Sequence, residues 1–189
     1  MLITATVVSA QDIALPQPKK TGGMPLMEAL NKRQSIRSYT NELIDNQTLS
    51  SLLWAAWGYN REDKRTAPSG MNRQEIDLYV VLPTGAYLYD ARANKLIFIT
   101  SKDIRQDVGA SQEFAQNATL NIVFVADKTK GEGTMTAAYI SQNIYLFCAS
   151  EGLGTVARGG FNAAGIQKDL NLNENQKVIL VQPVGKVKN

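Results

Sequence analysis

Between residues 76 and 100 the chain carries three strand signals in close succession, IDLYVVL, AYLYD and KLIFIT, and the last two read as a hairpin about a turn at residues 91 to 94. A two-strand hairpin needs antiparallel neighbours, whereas a doubly wound sheet needs a helical crossover between successive strands. The hairpin therefore argues against strict strand-helix alternation. Two further strand signals follow, LNIVFVAD (120–127) and KVILVQPVG (177–185). The second is almost continuously apolar, which places it inside a sheet. With helical segments before and between these strands, the expected class is α+β, a mixed sheet flanked by helices. A hydrophobic content of 44% over 189 residues supplies one substantial core. No Pro/Gly/Ser-rich linker divides the chain and no internal repeat is visible, so it reads as one domain.

PLMEALNKR begins with Pro25 at a helix N1 position and carries Leu26, Met27 and Leu30 on one face. A second helix has Asp45 or Asn46 as cap, Leu49, Leu52, Leu53, Ala56 and Trp57 at helical spacing, and Gly58 as a stop. Residues 59 to 75 are polar and aperiodic, contain Pro68 and Gly70, and read as a loop. The segment MTAAYISQNIYLFCASEGLG is apolar nearly all round and should end at Gly152, so it is expected in the domain centre or at a subunit interface.

Composition excludes several chemistries. With no histidine and a single cysteine, Cys148, the chain cannot build a Cys/His zinc site, a Ser-His-Asp or Cys-His centre, or an internal disulfide. Cys148 lies in an apolar helical run and reads as a small buried hydrophobe. The net charge of +3 is mild and its basic groups form no long run, which disfavours nucleic acid. No apolar run reaches the roughly 18 to 20 residues that span a bilayer. At the N-terminus, Val8 and Ala10 stand where a signal peptidase wants its −3 and −1 residues, but a basic n-region is missing and the apolar run is short. A signal-peptide remnant and a strand-forming arm both remain open for residues 1 to 24, as do cytoplasmic and exported locations.

Three constellations remain. In KRQSIRSYT, Arg33, Ser35 and Arg37 alternate, and alternate residues of an extended segment point the same way. Two guanidinium groups and a hydroxyl suit a phosphate and a partly anionic ring, although a solvated basic helix end reads the same. APSGMNRQ (67–74) joins a turn to two amides, Asn72 and Gln74, which can read the edge of a heterocycle or simply belong to a polar loop. EGLGTVARGG (151–160) surrounds Thr155, Val156 and Ala157 with four glycines that let the backbone approach a flat ligand. It is not a dinucleotide fingerprint, because it follows a helix and lacks that spacing.

Taken in order, KRQSIRSY, LLWAAWG with RTAPSGMNRQEIDLYVV, AYLYDARANKL, QNIYLFCASEGLGTVARGGF and the terminal QPVGKV resemble the nitroreductase family of flavoproteins over roughly residues 25 to 187. The WAAWG to TAPSG block and the YLYD hairpin are particularly similar to the SagB-type branch, which includes the azoline oxidases. The resemblance implies that residues 25 to 189 form an FMN-binding domain of an obligate homodimer, with the cofactor at the interface. Arg33, Gln34 and Ser35 would meet its phosphate and ribityl end, and Arg37 the N1/O2 side of its ring. Pro68, Ser69, Gly70 and Asn72 would come from the partner subunit. The backbone at Val156 and Ala157 would face the N5/O4 edge, with Gly159 and Gly160 completing the pocket. Where many members carry a basic pair after the last strand, this chain offers Lys186 and Lys188; Glu75 stands where many carry proline.

Such a cofactor accepts and passes on a hydride at N5, so the protein needs no histidine or nucleophile of its own. The catalytic contribution expected of the chain is support of the reduced, negatively charged ring by Arg37. The resemblance implies NADH- or NADPH-driven reduction of an electron-poor nitro or quinone-like acceptor. The alternatives are a SagB-like oxidase or dehydrogenase of an organic substrate and a flavin-binding protein without turnover. The sequence chooses neither the acceptor nor the nicotinamide donor.

Overall fold

A computed structural model describes residues 11 to 188. The positions weighed as a signal-peptidase site lie outside the described residues. In chain order the elements are β1 (Ile13–Ala14), α1 (Leu26–Lys32), α2 (Asn46–Trp57), a 3-10 turn (Gly70–Asn72), β2 (Ile76–Leu82), β3 (Gly85–Asp90), β4 (Lys95–Thr100), α3 (Arg105–Gly109), α4 (Glu113–Gln116), β5 (Leu120–Asp127), α5 (Thr134–Glu151), β6 (Leu153–Thr155), α6 (Ala163–Asp169) and β7 (Gln176–Lys186). The fold is α+β: seven strands in the order β1-β4-β3-β2-β5-β7-β6 form one sheet, and the paired strands run antiparallel.

Strand side chains alternate between two cores. Ile76, Leu78 and Val80 of β2, with Leu120, Ile122 and Phe124 of β5, face the larger one, which α2 and α5 cover. Tyr79 and Val81, with Val123 and Val125, face the smaller one, which α3 and α6 close. Both faces of the central strands are therefore covered, and this is why β5 and β7 read as continuous apolar runs. β7 lies between β5 and β6, inside the sheet. The hairpin of β3 and β4 pairs Asp90 with Lys95 and Tyr87 with Phe98, and its turn falls at the expected residues.

Asp45 is the cap of α2; its carboxylate accepts from the Gln47 and Thr48 amides, each at 2.9 Å. Trp57, at the other end, buries its indole and donates to the Ile76 carbonyl at 2.8 Å. α5 ends as expected at Gly152, whose φ of 69° is the left-handed value that favours glycine. Only one side of α5 is buried, through Ala137, Ile140, Ile144 and Cys148, whereas Met135 and Tyr139 are exposed. The apolar face of α1 is also open: Leu26 is 63% and Met27 75% exposed. Pro25 stands one position earlier than expected, at the cap, with ψ of 140°. Ahead of α1, β1 pairs with β4, and the Leu15 side chain enters the larger core. No helix among the described residues is long and apolar enough to cross a membrane.

Candidate functional site

A pair of opposed glycines creates the platform for the Arg33 to Arg37 segment. Gly154 of β6 pairs with Gly185 of β7. A Cβ on Gly154 would stand 2.8 Å from Ile36 Cγ2, and one on Gly185 2.9 Å from Tyr39 Cβ. The missing side chains let Ile36 and Tyr39 lie flat on the sheet end. Backbone bonds fix the segment there: the Ile36 amide donates to the Thr155 carbonyl at 3.0 Å, and the Thr40 amide to the Lys186 carbonyl at 2.8 Å. The Tyr39 hydroxyl donates to the Ile36 carbonyl at 2.6 Å, and burial pushes its pKa up, so it stays protonated.

The glycine run thus divides by role. Gly152 ends a helix and Gly154 makes room for protein, which corrects the expectation that all four glycines clear space for a ligand. Gly159 and Gly160 are exposed, and a Cβ on Gly159 would meet nothing within 4 Å. Between them and β6 lie Val156, which is buried, and Ala157. Arg158 anchors this turn. Its buried guanidinium donates to Gln112 Oε1 at 2.5 Å and to the carbonyls of Val108 (3.1 Å), Gly109 (2.9 Å) and Gly160 (2.7 Å). Desolvation lowers its pKa, and these four acceptors supply the hydrogen bonds that water would.

Tyr145 of α5, a residue the sequence reading did not single out, joins the two segments. Its hydroxyl accepts from the Ala157 amide at 2.8 Å and lies 3.1 Å from Ser35 Oγ. The Arg33 guanidinium stands over its ring, 5.2 Å from the centroid. Tyr145 separates two clefts. One, of about 230 Å³, includes Gln34, Ile36 and Thr155; the other, of about 290 Å³, is an apolar trough between α5 and β7 with Ala138, Ala157, Ile179 and Leu180. Arg37 does not join Arg33 and Ser35. It lines another cleft, of about 330 Å³, with Tyr39, Asn41, Phe114 and Lys188. The expectation that all three alternate side chains converge is corrected to a pair at Tyr145 and a separate Arg37, because Arg37 lies beside Tyr39 and Phe114 in the next cleft.

Lys186 is engaged elsewhere, 2.6 Å from a Glu42 carboxylate oxygen. Among the described residues Arg33, Arg37 and Lys188 have no ion-pair partner. The residues at Tyr145 fit an FMN: the uncommitted Arg33 guanidinium and the Ser35 hydroxyl suit a phosphate, and the flat apolar walls of the trough suit a ring.

The loop containing Pro68, Ser69, Gly70 and Asn72 folds onto its own neighbours. Gln74 Oε1 accepts from the Tyr59 hydroxyl (3.1 Å) and Arg65 Nε (2.9 Å), while its amide nitrogen donates to the Asp63 carbonyl (2.7 Å) and Asn72 Oδ1 (2.9 Å). Gln74 is therefore consumed within the loop, a correction to its reading as a heterocycle reader. Asn72 also donates to the Asp63 carbonyl at 3.2 Å, and Ser69 Oγ accepts from the Gln74 amide at 3.0 Å. Met71, Asn72 and Gln74 all have positive φ, near 50°, a conformation that is costly for residues with a Cβ and tends to concentrate at ligand sites. Glu75 is buried and accepts from the Thr136 hydroxyl at 2.6 Å, tying the loop to the first turn of α5. Cys148 is buried and burial raises its pKa, so its thiol is inert. Among the described residues no cluster of three His, Cys, Asp or Glu side chains could hold a metal.

The pattern that defines the Nitroreductase family matches residues 30–186. This chain belongs to that family. A structure of a candidate nitroreductase from Ralstonia eutropha JMP134 is 37% identical, with a TM-score of 0.88, and the match covers 98% of this chain and 93% of that one. A candidate nitroreductase of Methanocaldococcus jannaschii is 27% identical over 195 residues, covering 93% of this chain and 96% of the relative. A candidate NADH oxidase from Clostridium acetobutylicum is 27% identical with a TM-score of 0.63, over 85% of this chain and 88% of that one. These nitroreductase-family relatives support flavin-dependent oxidoreduction as the general activity.

Proposed function

We propose that the protein is an FMN-dependent oxidoreductase that takes electrons from NADH or NADPH and reduces an electron-poor acceptor. The observation that carries this reading is the junction at Tyr145, a side chain that meets Arg33, Ser35 and the Ala157 amide and also walls an apolar trough. Bound there, FMN would supply two-electron chemistry that the chain's own side chains, with one buried thiol, do not provide. Arg33 and Ser35 hold the phosphate end, with Gln34 beside them. Arg37 and Lys188, in the neighbouring cleft, add positive charge to this end of the sheet, which favours the negatively charged reduced ring. Val156 and Ala157 supply the backbone edge, and the Arg158 clamp fixes it against α3. Gly159 and Gly160 leave the approach open.

The reading includes a homodimer. Leu26, Met27, Met135 and Tyr139 leave an apolar surface that a second copy would cover. Pro68, Ser69, Gly70 and Asn72 then reach the partner's cofactor, and the positive-φ backbone beside them is the strain expected of a loop held for binding. The relatives' names, nitroreductase and NADH oxidase, favour reduction by a nicotinamide donor over oxidation of an organic substrate in the manner of the SagB-type branch.

The test is anaerobic mixing of FMN-loaded protein with NADH and with NADPH, followed by an acceptor. Bleaching by one donor and rapid recovery on adding a quinone support turnover. Failure of both donors, or a bleached protein that the acceptor does not reoxidise, leaves a flavin carrier and contradicts it.

A further inference from the structure

A cleft of about 600 Å³ lies away from Tyr145, on the other flank of α5, and has dimensions that suit a small molecule. The strap before α1 edges it. Both ends of the strap are pinned: the Lys19 amide donates to Ser51 Oγ of α2 at 3.1 Å, and the Met24 amide to Ser150 Oγ of α5 at 2.8 Å. Gly22 and Gly23 turn the strap at φ of 89° and 83°. Half-buried Trp54 and Phe147 line the cleft, and the Lys20 ammonium stands over the Trp54 ring, 5.6 Å from its centroid. Among the described residues neither Lys19 nor Lys20 has an ion-pair partner, and Glu151 is the single carboxylate on the lining.

Aromatic walls with the Lys20 ammonium over one of them and Lys19 on the lining match one ligand chemistry, a flat ring bearing a carboxylate. We propose that this cleft binds aromatic carboxylates, with Trp54 and Phe147 stacking on the ring and Lys19 and Lys20 selecting its charge. Its position joins it to the redox reading. Tyr145 and Phe147 are about 200° apart around the helix axis, so they face opposite flanks of the exposed Met135 and Tyr139 stripe. A two-fold pairing that sets the two α5 helices parallel along that stripe brings the Phe147 flank of one copy to the Tyr145 flank of the other. Thr66, on the wall of the cleft, leads directly into the Pro68 loop assigned to the partner's cofactor. An aromatic carboxylate bound here is therefore the acceptor class of the proposed reaction, and this assignment rests on that reading. For a nitro acceptor, two electrons from the nicotinamide donor and two protons convert the nitro group to a nitroso group and release one oxygen as water.

The test titrates the purified protein with 4-nitrobenzoate and with its uncharged methyl ester, reading tryptophan fluorescence. The chain has two tryptophans, and Trp57 is buried. The expected result is saturable quenching by the carboxylate that is lost in Trp54→Phe. In the Lys19→Gln/Lys20→Gln variant its Kd should rise about tenfold, as two exposed ion pairs allow, while that of the ester stays unchanged. Equal affinity of parent and double variant for the carboxylate, or no saturable quenching, overturns the site. FMN retention is read separately. Flavin-loaded protein without quenching rejects the cleft alone, and quenching without retained flavin keeps the cleft but removes its redox role.

Discussion

The Tyr145 hydroxyl shows how residue chemistry assembles this site and why the sequence concealed part of it. Its partner Ser35 lies 110 positions away in the chain, so no local pattern could announce the contact. What was visible was a tyrosine in an apolar helix, a side chain whose hydroxyl usually finds a partner when buried. The alternation of Arg33, Ser35 and Arg37 was legible, but its geometry depends on the Gly154 and Gly185 platform, which only strand pairing reveals. Loss of Arg33 removes charge-assisted contacts to a phosphate, so Arg33→Ala should weaken FMN binding by about ten- to a hundredfold. Arg37→Ala should chiefly lower the flavin reduction potential, because it removes from the neighbouring cleft a positive charge that favours the negatively charged reduced ring. Fluorescence titration and a spectroelectrochemical titration read the two effects. Parental behaviour in both variants would place the site elsewhere.

Elements with a strong local code were legible. α2 carries its cap, its apolar stripe and its terminating glycine within one short window, and each of β2 to β5 has a run of strand-forming residues bounded by turns. α3, α4 and α6 are too short for periodicity to show, and three-residue β6 sits inside the glycine run, held by its pairing with β7. The cap of α2 gives a direct test. Hydrogen bonds from the Thr48 backbone and hydroxyl, followed by the Gln47 amide, hold the Asp45 carboxyl below its ordinary pKa. A carboxyl so lowered contributes stability that is complete above its unfolded value and lost as pH falls through the folded one. Asp45→Ala should cost about 1 kcal/mol in chemical denaturation at neutral pH. Asp45→Asn should keep most of the cap while removing this contribution to acid sensitivity.

At the scale of the molecule, the α+β class followed from the hairpin and from strands apolar on both faces. The open sides of α1 and α5 did not, because periodicity marks an apolar face without saying whether it meets the chain's own core or a second copy. Met27 and Met135, 75% and 70% exposed, are the residues to alter. Sedimentation of the FMN-loaded protein should give a dimer, and Met27→Lys/Met135→Lys should shift it to monomer, because two buried charges without partners oppose association. A monomeric parent would remove the interface on which the shared site depends.

The proposed function rests on FMN binding in the trough beside Tyr145. The most direct measurement is the visible absorption spectrum of the purified protein, recorded as isolated and again after incubation with FMN and desalting. Flavin bands that persist through desalting, and are lost in Arg33→Ala, are the predicted result. A colourless protein that releases all added FMN would mean that the chain keeps the family fold without its cofactor, and the oxidoreductase assignment would fall with it.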